Sequence, residues 1–244
     1  MKNFKLIKFS LQWFLFGALA ILSCGCDNDD NNGDNVNPAE TLTFTFEQSA
    51  EGWEGGVADF PKDWDRSRLE FEFENEELPA GVGETGKSLK ISGRNISDDL
   101  FMFMKKQVTG LEPNHSYAVT FEIELASSYP EQSVGIGGSP GASVFLKAGG
   151  ASIEPMPVEQ DDNIRMNIDK GGQSRGGENM LVLGNVGIPG DEFEYRLIQR
   201  NNLQEPIEIT SDNDGSLWLI IGTDSGFEGT TTLYYSTVEI TLAY

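Results

Sequence analysis

Apolar and polar residues alternate at every second position over much of the chain from Thr41 onward. The longest run places Tyr117, Val119, Phe121, Ile123 and Leu125 on one side, with threonine and glutamate between them. Successive side chains of a β-strand point to opposite faces, so this alternation predicts a strand with one buried and one solvated face. Shorter runs of the same kind predict strands at 42–46, 69–73 and 193–197.

Other segments complete the prediction of an all-β chain. Residues 100–104 and 217–221 are almost entirely apolar, which predicts strands covered on both faces and places Trp218 in a core. Near the end of the chain the alternation predicts that Tyr234, Ser236 and Val238 share one face. No convincing helix of ten or more residues is present.

Turn signals separate about ten to twelve predicted strands. The intervening segments are rich in glycine, proline, asparagine and aspartate, which favour the backbone conformations of tight turns. Many short strands with frequent turns are typical of a β-sandwich, and we expect a jelly roll. Residues 41–244 are long enough for a single domain of this kind.

The first 26 residues have the pattern of a secretory signal. Three lysines precede an apolar run of about ten residues, which is too short for a membrane helix. The sequence Ile21-Leu22-Ser23-Cys24 resembles a bacterial lipoprotein signal, in which the cysteine is lipidated and the preceding peptide is removed. This resemblance implies a signal peptide at 1–23 with Cys24 as the lipidated residue; Cys26 is the alternative.

An acidic, polar segment follows the two cysteines. Residues 27–35 contain only aspartate, asparagine and glycine, so they have no apolar surface to bury. We expect residues 24–40 to form a flexible tether. An acidic run directly after the cysteine resembles the surface-export signal of lipoproteins in the Bacteroidota, which implies a protein exposed on the outer membrane and held there by its lipid anchor alone.

Charge and composition exclude several classes of function. The chain has a formal net charge of −22, which opposes binding to the phosphates of nucleic acids. Both cysteines lie in the signal region, so the domain has no disulfide and no thiol nucleophile. The single histidine, His115, excludes metal sites built from several histidines.

Two segments resemble galactose-binding-like jelly rolls, a class that includes many carbohydrate-binding modules. They are Phe44-Thr45-Phe46-Glu47 followed by Gly52-Trp53, and Gly229-Thr230-Thr231-Thr232-Leu233-Tyr234-Tyr235 before the last strand. The resemblance implies paired first and last strands, a glycan ligand and a structural calcium ion. Ser236 follows the late tyrosine pair where such modules usually carry aspartate, so a specific metal site is not transferred.

A third segment resembles the turn that precedes a core strand in many sandwich domains. Residues 110–117 read Gly-Leu-Glu-Pro-Asn-His-Ser-Tyr. In the tyrosine corner that they resemble, a tyrosine hydroxyl caps the turn. We therefore expect Leu111 to enter the core, Tyr117 to cap the turn and His115 to be an ordinary turn residue.

Two loops offer oxygen ligands for Ca²⁺. Asp98 and Asp99 directly precede the apolar strand at Leu100, and Asp224 and Glu228 follow the apolar strand at 217–221. Carboxylates are the ligands that calcium prefers. The alternative is that both segments are turns that are satisfied by their own side chains.

A glycan needs an aromatic platform and side chains that hydrogen-bond to hydroxyl groups. Trp64, flanked by charged residues in a predicted loop, is the candidate platform, whereas Trp53 is expected to pack inside. The polar candidates are Asn95 and the residues of a glycine-rich segment, Asp169, Gln173 and Arg175.

Three functions remain open. The leading hypothesis is a surface lipoprotein that binds a polysaccharide without cleaving it. The alternatives are a structural or adhesive protein that binds another protein, and a glycoside hydrolase or polysaccharide lyase on a sandwich scaffold. Glycosidases need only two suitably spaced carboxylates, so a chain with 39 acidic residues does not discriminate among these.

Overall fold

Strands dominate the computed structural model, which describes residues 39–97 and 99–244. The part of the chain that it describes contains fifteen strands and one four-residue 3₁₀ helix, Arg66–Leu69. This confirms the predicted all-β sandwich of the jelly-roll type. The signal peptide, the tether up to residue 38, both cysteines and Asp98 lie outside the described residues.

One large antiparallel sheet contains both ends of the domain. Its central order is β12-β7-β15-β5-β4, with β1 also paired to β15 and β13 also paired to β7. The first and last strands are therefore partners, as the resemblance implies. The strands are β1 (Glu40–Phe44), β4 (Glu72–Glu77), β5 (Lys87–Arg94), β7 (Ser116–Ser127), β12 (Arg196–Asn201), β13 (Ile207–Thr210) and β15 (Thr230–Ala243).

A second sheet packs against the first. Its order is β11-β8-β14-β6-β2, and all its pairings are antiparallel. Side chains from both sheets interdigitate in the main core, including Phe121 and Val238 from the large sheet and Met104 and Leu219 from this one. The strands are β2 (Glu54–Ala58), β6 (Leu100–Thr109), β8 (Val144–Ala151), β11 (Met180–Asn185) and β14 (Ser216–Ser225).

The outer face of the five-stranded sheet is covered as well. Phe101 and Phe103 of β6 and Ile220 of β14 form a second core with Met166 and Ile168. Met166 belongs to a small third sheet of β3 (Phe60–Pro61), β9 (Pro157–Gln160) and β10 (Asn163–Met166). This confirms that the two apolar segments form strands that are covered on both sides. The prediction for Trp218 is wrong: its side chain is partly exposed, belongs to neither core and packs under the ammonium group of Lys105.

A bulge in β15 changes the predicted face of Tyr234. The pairing of β15 with β7 shifts register between Tyr235 and Thr237, so one residue is inserted at Ser236. Tyr235 and Val238 both point into the main core, and Tyr234 points to the outer face of the sheet. The prediction that Tyr234 and Val238 share a face is therefore wrong, because a bulge reverses the alternation.

The turn before β7 has the predicted form. The backbone N–H of Glu112 donates to the hydroxyl oxygen of Tyr117 at 2.9 Å, and Leu111 is buried beside the core. Asn114 adopts a positive φ of 54°, a conformation that asparagine tolerates in turns. His115 stacks edge-on with Tyr117 at 4.9 Å between ring centroids, as a residue of this turn.

Two predicted strands begin later than expected. The run at 69–73 starts at Leu69, the last residue of the 3₁₀ helix; Glu70 caps that helix with a positive φ of 47°, and β4 begins only at Glu72. Residues 193–195 precede β12, which begins at Arg196. Among the described residues no helix has the length and apolar character needed to cross a membrane.

Candidate functional site

Three aspartates meet on the outer face of the five-stranded sheet. One carboxylate oxygen from each of Asp59, Asp99 and Asp224 lies within 4.8 Å of the other two. Asp99 directly precedes β6, as the sequence predicts, whereas Asp224 lies within β14 and is fully buried, not in the loop that the sequence predicts after this strand. Asp59, between β2 and β3, was not predicted; its positive φ of 64° marks a sharp backbone turn there.

Strand register explains this convergence. Asp224 follows Ile220 on β14 by four residues and therefore points to the same, outer face. On one side it pairs with Phe101 of β6, the strand that Asp99 precedes. On the other side lies β8, whose Lys147 pairs with Gly222 and reaches diagonally toward Asp224. Three neighbouring strands thus bring their polar side chains to one point.

Two lysines neutralise the carboxylates. Nζ of Lys147 lies 2.8 Å from Oδ2 of Asp224, and both side chains are completely inaccessible to solvent. Nζ of Lys170 lies 2.6 Å from the same oxygen and 2.7 Å from Oδ2 of Asp59. Asp224 is therefore a shared acceptor for two ammonium groups.

Lys147 also holds the glycine-rich loop that follows β10. Its ammonium group donates to the carbonyl oxygen of Lys170 at 3.0 Å, to that of Arg175 at 3.2 Å and to that of Gly172. With Asp224, these three carbonyls give the ammonium group four oxygen acceptors. One side chain from the sheet thus fixes the backbone of the loop.

Burial and charge shift the pKa values of this cluster in different directions. Burial, reinforced by the charge of Asp224, raises the pKa of Asp99 to about 7. Burial lowers the pKa of Lys147 despite its contact with Asp224. Burial also acts to lower the pKa of Lys170, but the charges of Asp224 and Asp59 outweigh it and raise that pKa.

A calcium ion does not fit the cluster as the chain stands. Ca²⁺ takes six to eight oxygen ligands at about 2.3–2.6 Å, which must face the ion without a competing cation. Here Oδ2 of Asp224 already contacts two ammonium groups, and the nearby carbonyls accept hydrogen bonds from Lys147. The arrangement at Asp99 and Asp224 is an ion-pair network.

The predicted polar loop lies over this network. The amide of Gln173 donates to Oδ1 of Asp99 at 3.4 Å. Asp169 accepts hydrogen bonds from the backbone N–H groups of Glu178 and Gly171, which lower its pKa. Arg175 is exposed, and its carbonyl is one of the acceptors of Lys147. Asp169 therefore shapes the loop, while Arg175 faces solvent.

Asn95 and Trp64 are less available than the sequence suggests. The Asn95 amide is buried and donates to the carbonyl oxygens of Ser225 and Phe227. Trp64 packs against the main core, and the guanidinium of Arg68 lies 5.4 Å from its ring centroid. Asn95 thus fastens two loops together, and one face of Trp64 is covered.

Glu228 does not join the aspartates. The group of carboxylates described above does not include it, and its backbone N–H donates to the carbonyl of Ile136 at 2.8 Å. Of the four predicted calcium ligands, two therefore meet, Glu228 lies elsewhere and Asp98 is not described.

A shallow groove crosses the outer face of the seven-stranded sheet. Its volume is about 210 Å³, and it runs over β12, β7 and β15. The strand registers place polar side chains in transverse rows: Gln199 pairs with Glu124, and Glu122 pairs with both Asn201 and Glu239. Its polar lining side chains include Glu122, Glu124, Gln199, Asn201, Thr237 and Glu239.

Two tyrosines stand on the same face, one row from the groove. The rings of Tyr195 and Tyr234 meet edge-on with centroids 5.5 Å apart, and both side chains are half-buried. Burial, with smaller effects from the neighbouring Tyr195 hydroxyl, raises the pKa of Tyr234. Tyr234 reaches this face only because of the bulge at Ser236.

Lys90 links the tyrosines to the acidic stripe on β4. It pairs in register with Tyr234 on one side and Glu74 on the other. Its ammonium group lies 2.7 Å from Glu72 and 3.5 Å from Glu76, contacts that raise its pKa. Glu72, Glu74 and Glu76 of β4, which form this acidic stripe, are thus the far end of a continuous polar and aromatic surface.

A second groove adjoins the first at Asn201, which lines both. It has a volume of about 380 Å³ and extends past Asn202 and Glu205 to Leu181 and Gly176, at the end of the glycine-rich loop. The two grooves thus connect the outer face of the large sheet with the loop that Lys147 holds.

Comparison with protein-family models gives no match, and comparison with curated proteins gives none either. Several solved structures are similar in outline. The adhesin domain of Lys-gingipain from Porphyromonas gingivalis W83 is 10% identical with a TM-score of 0.37, over 82% of this chain and 97% of that one.

Carbohydrate-binding modules are also among the similar structures. A module from a study of promiscuous specificity in the β-sandwich superfamily is 14% identical with a TM-score of 0.39, over 84% of this chain and 61% of that one. The family 11 module of Clostridium thermocellum, in complex with a β-1,3-1,4-mixed-linked tetrasaccharide, is 9% identical with a TM-score of 0.34, over 83% of this chain and 95% of that one.

Proposed function

We propose that this protein binds an extended glycan chain, without cleaving it, on the outer face of its seven-stranded sheet. The observation that carries the proposal is the pair Tyr195 and Tyr234 beside a groove lined with carboxylate and amide side chains. Aromatic rings pack against the apolar face of a pyranose, and the polar side chains hydrogen-bond to its hydroxyl groups.

The dimensions of this face suit an oligosaccharide. The five strands from β12 to β4 span roughly 19 Å at about 4.8 Å per strand. The surface runs from Gln199 through Tyr234 and Lys90 to Glu74, so a chain that crosses the strands meets polar groups along its whole length.

The charge of the face favours a neutral glycan. Six carboxylates of β4, β7 and β15 lie on it, with the ammonium group of Lys90 among them, whereas Arg200 pairs with the core residue Ile123 and points to the opposite face. Arg200 donates to the carbonyl oxygens of Asn185 and Gly187, so its hydrogen bonds are directed into the protein. A polymer of uronic acids would be repelled, whereas uncharged hydroxyl groups find acceptors. The six are Glu72, Glu74, Glu76, Glu122, Glu124 and Glu239.

The sequence supports display of this domain at the cell envelope. We infer lipidation at Cys24, followed by a tether that lets the domain reach away from the outer membrane. Substitution of Cys24 by serine should abolish labelling with a fatty-acid analogue and release the protein from membranes. If Cys26→Ser has that effect instead, Cys26 is the anchor.

The test of glycan binding uses soluble protein comprising residues 36–244. Calorimetric titration against neutral polysaccharides and against uronate-containing ones should give binding only to members of the neutral group. Binding of uronates alone would contradict the charge argument, and absence of binding to the whole panel would contradict the proposal. Release of new reducing ends from the bound polysaccharide would show an enzyme instead of a non-catalytic module.

A protein partner is the second candidate, and one exposed segment favours it. Val134 and Ile136, in the loop between β7 and β8, are 94% and 71% exposed. Exposed apolar side chains that lie close together are a common feature of protein interfaces. The double substitution Val134→Ser and Ile136→Ser should leave glycan binding intact. If it abolishes attachment to cell surfaces, that result supports the adhesive function.

A further inference from the structure

The environment of the Lys147 ammonium group has the chemistry of a site for a hard cation. Three backbone carbonyl oxygens of one loop and a buried carboxylate converge on a single atom, Nζ of Lys147. Carbonyl and carboxylate oxygens are the ligands that proteins offer to Ca²⁺. An ammonium group has three donors and no acceptor, so its N–H groups are shared among these four oxygens.

The loop is folded to present these carbonyls inward. Gly171 adopts a positive φ of 75°, and a Cβ atom there would approach the carbonyl of Arg175 to 2.4 Å. A Cβ on Gly177 would lie 2.3 Å from Oδ1 of Asp169, the side chain that caps the loop. The backbone path therefore depends on glycines at positions where the chain turns closely upon itself.

The charge of the surroundings requires a cation at this point. Asp224 is fully buried, and Asp59 and Asp99 place further carboxylate oxygens within 4.8 Å. Lys170 supplies one positive charge at 2.6 Å from Asp224. Without Lys147, all three inward-facing carbonyls would lose a charged donor, although that of Gly172 also accepts from the N–H of Arg175. The aspartates would keep Lys170 and the more distant Arg165, but the loss of one buried cation is costly.

We propose that the ammonium group of Lys147 is a built-in cation that makes the domain independent of calcium, and that the site it occupies accepts a hard divalent cation when the side chain is shortened. The proposal goes beyond glycan binding and does not rest on it.

The test compares two variants of the soluble protein, residues 36–244, by thermal unfolding in Ca²⁺ and in chelator. Lys147→Ala removes the charge and opens space for an ion; Lys147→Met removes the charge but keeps an unbranched stem in that space. We expect the unfolding temperature of the unaltered protein to be the same in both buffers. Both variants should unfold several degrees lower in chelator, and Ca²⁺ should restore part of the loss for Lys147→Ala only.

Several results would overturn the proposal. A rise in the unfolding temperature of the unaltered protein in Ca²⁺, lost in Asp224→Asn, would mean that metal binds beside Lys147. If Ca²⁺ does not stabilise Lys147→Ala more than Lys147→Met, the site does not accept a divalent cation and the proposal fails. The same holds if Lys147→Ala stays unfolded in both buffers. An intact mass lower by one water molecule, traced to a link between Lys147 and Asp224, would show an amide in place of the ammonium group.

Discussion

The ring of Tyr195 meets the ring of Tyr234 edge-on, with centroids 5.5 Å apart and planes at 86°. This contact joins the segment before β12 to the last strand, across β7, on a face that is mostly polar apart from the neighbouring Leu197 and Ala126. Edge-to-face pairs orient their rings as well as burying them. Each tyrosine therefore holds the other in place for a ligand that crosses the sheet.

Substitution of Tyr234 by alanine should weaken glycan binding by about tenfold or more, which corresponds to ~1.4 kcal/mol. The substitution removes one ring and leaves the other without its partner. Its matched control is the adjacent Tyr235→Phe, because Tyr235 points into the core and its change leaves the outer face intact. Titration calorimetry with a glycan that binds the unaltered protein measures the affinities of both variants. Equal affinities would show that Tyr234 does not contribute to the binding site.

The difference between these neighbours shows what the sequence does and does not predict. Alternation is a local property, and it correctly predicts β7 and the inward face of β15 from Val238 onward. A bulge is set by the pairing of two strands, so the alternation around Ser236 gives the wrong face for Tyr234. The bulge explains the wrong face of Tyr234. Tyr195 has a different cause: the alternation of Phe193, Tyr195 and Leu197 predicts a buried face, but Phe193 is exposed and Ile198 is the inward residue of β12.

The buried ion network was half predicted. Asp99 and Asp224 were chosen because carboxylates flank two apolar strands, and antiparallel pairing of β6 with β14 brings them together. Lys147 carries no comparable signal, because a lysine within an apolar strand looks like an ordinary solvated residue. Its partner Asp224 lies two residues along the neighbouring strand, and only the register of β8 with β14 reveals the contact.

Replacement of Asp99 by asparagine should change how stability depends on pH. The pKa of Asp99 is about 7 in the folded protein, against about 4 when unfolded. The folded state thus binds the extra proton between these values, so this group's contribution to stability decreases as the pH rises from about 4 to 7. Asp99→Asn cannot ionise and should flatten this decrease, with higher stability than the unaltered protein at pH 8.

Denaturant unfolding at pH 5, 6, 7 and 8 measures this effect. Asp162→Asn is the matched control, because the Asp162 side chain is 93% exposed in its ion pair with Lys62. The control should follow the pH profile of the unaltered protein. If the stability of Asp99→Asn has the same pH profile as the unaltered protein, Asp99 ionises normally and is not buried against Asp224.

Substitution of Tyr117 by phenylalanine should cost about 1 kcal/mol of stability, because the N–H of Glu112 loses its hydroxyl acceptor. For a domain of this size that amounts to about 2–4 °C in the unfolding temperature. The ring remains in the core, so the fold should be unchanged. Thermal unfolding checks the prediction, and an unaltered unfolding temperature would mean that the turn before β7 does not depend on this hydroxyl.

Asn202 should be among the polar residues least tolerant of change. Its amide donates to the carbonyl oxygens of Val119 and Glu205, both at 3.1 Å, and its carbonyl oxygen accepts from the N–H of Phe121 at 2.6 Å. It thus fastens the turn between β12 and β13 to β7, beside the point where the two surface grooves meet. Asn202→Asp keeps the acceptor but points a carboxylate at two carbonyl oxygens.

We expect Asn202→Asp to lower the free energy of unfolding by about 2–4 kcal/mol at pH 7, since two carbonyls lose their donor and a charge is buried without a partner. Protonation of the new carboxyl group restores one donor, so part of the loss should be recovered near pH 5. Asn201→Asp is the matched control, because Asn201 is exposed on the neighbouring position. Denaturant unfolding at both pH values decides the matter: equal losses for the two variants would mean that the turn is not held by this buried amide.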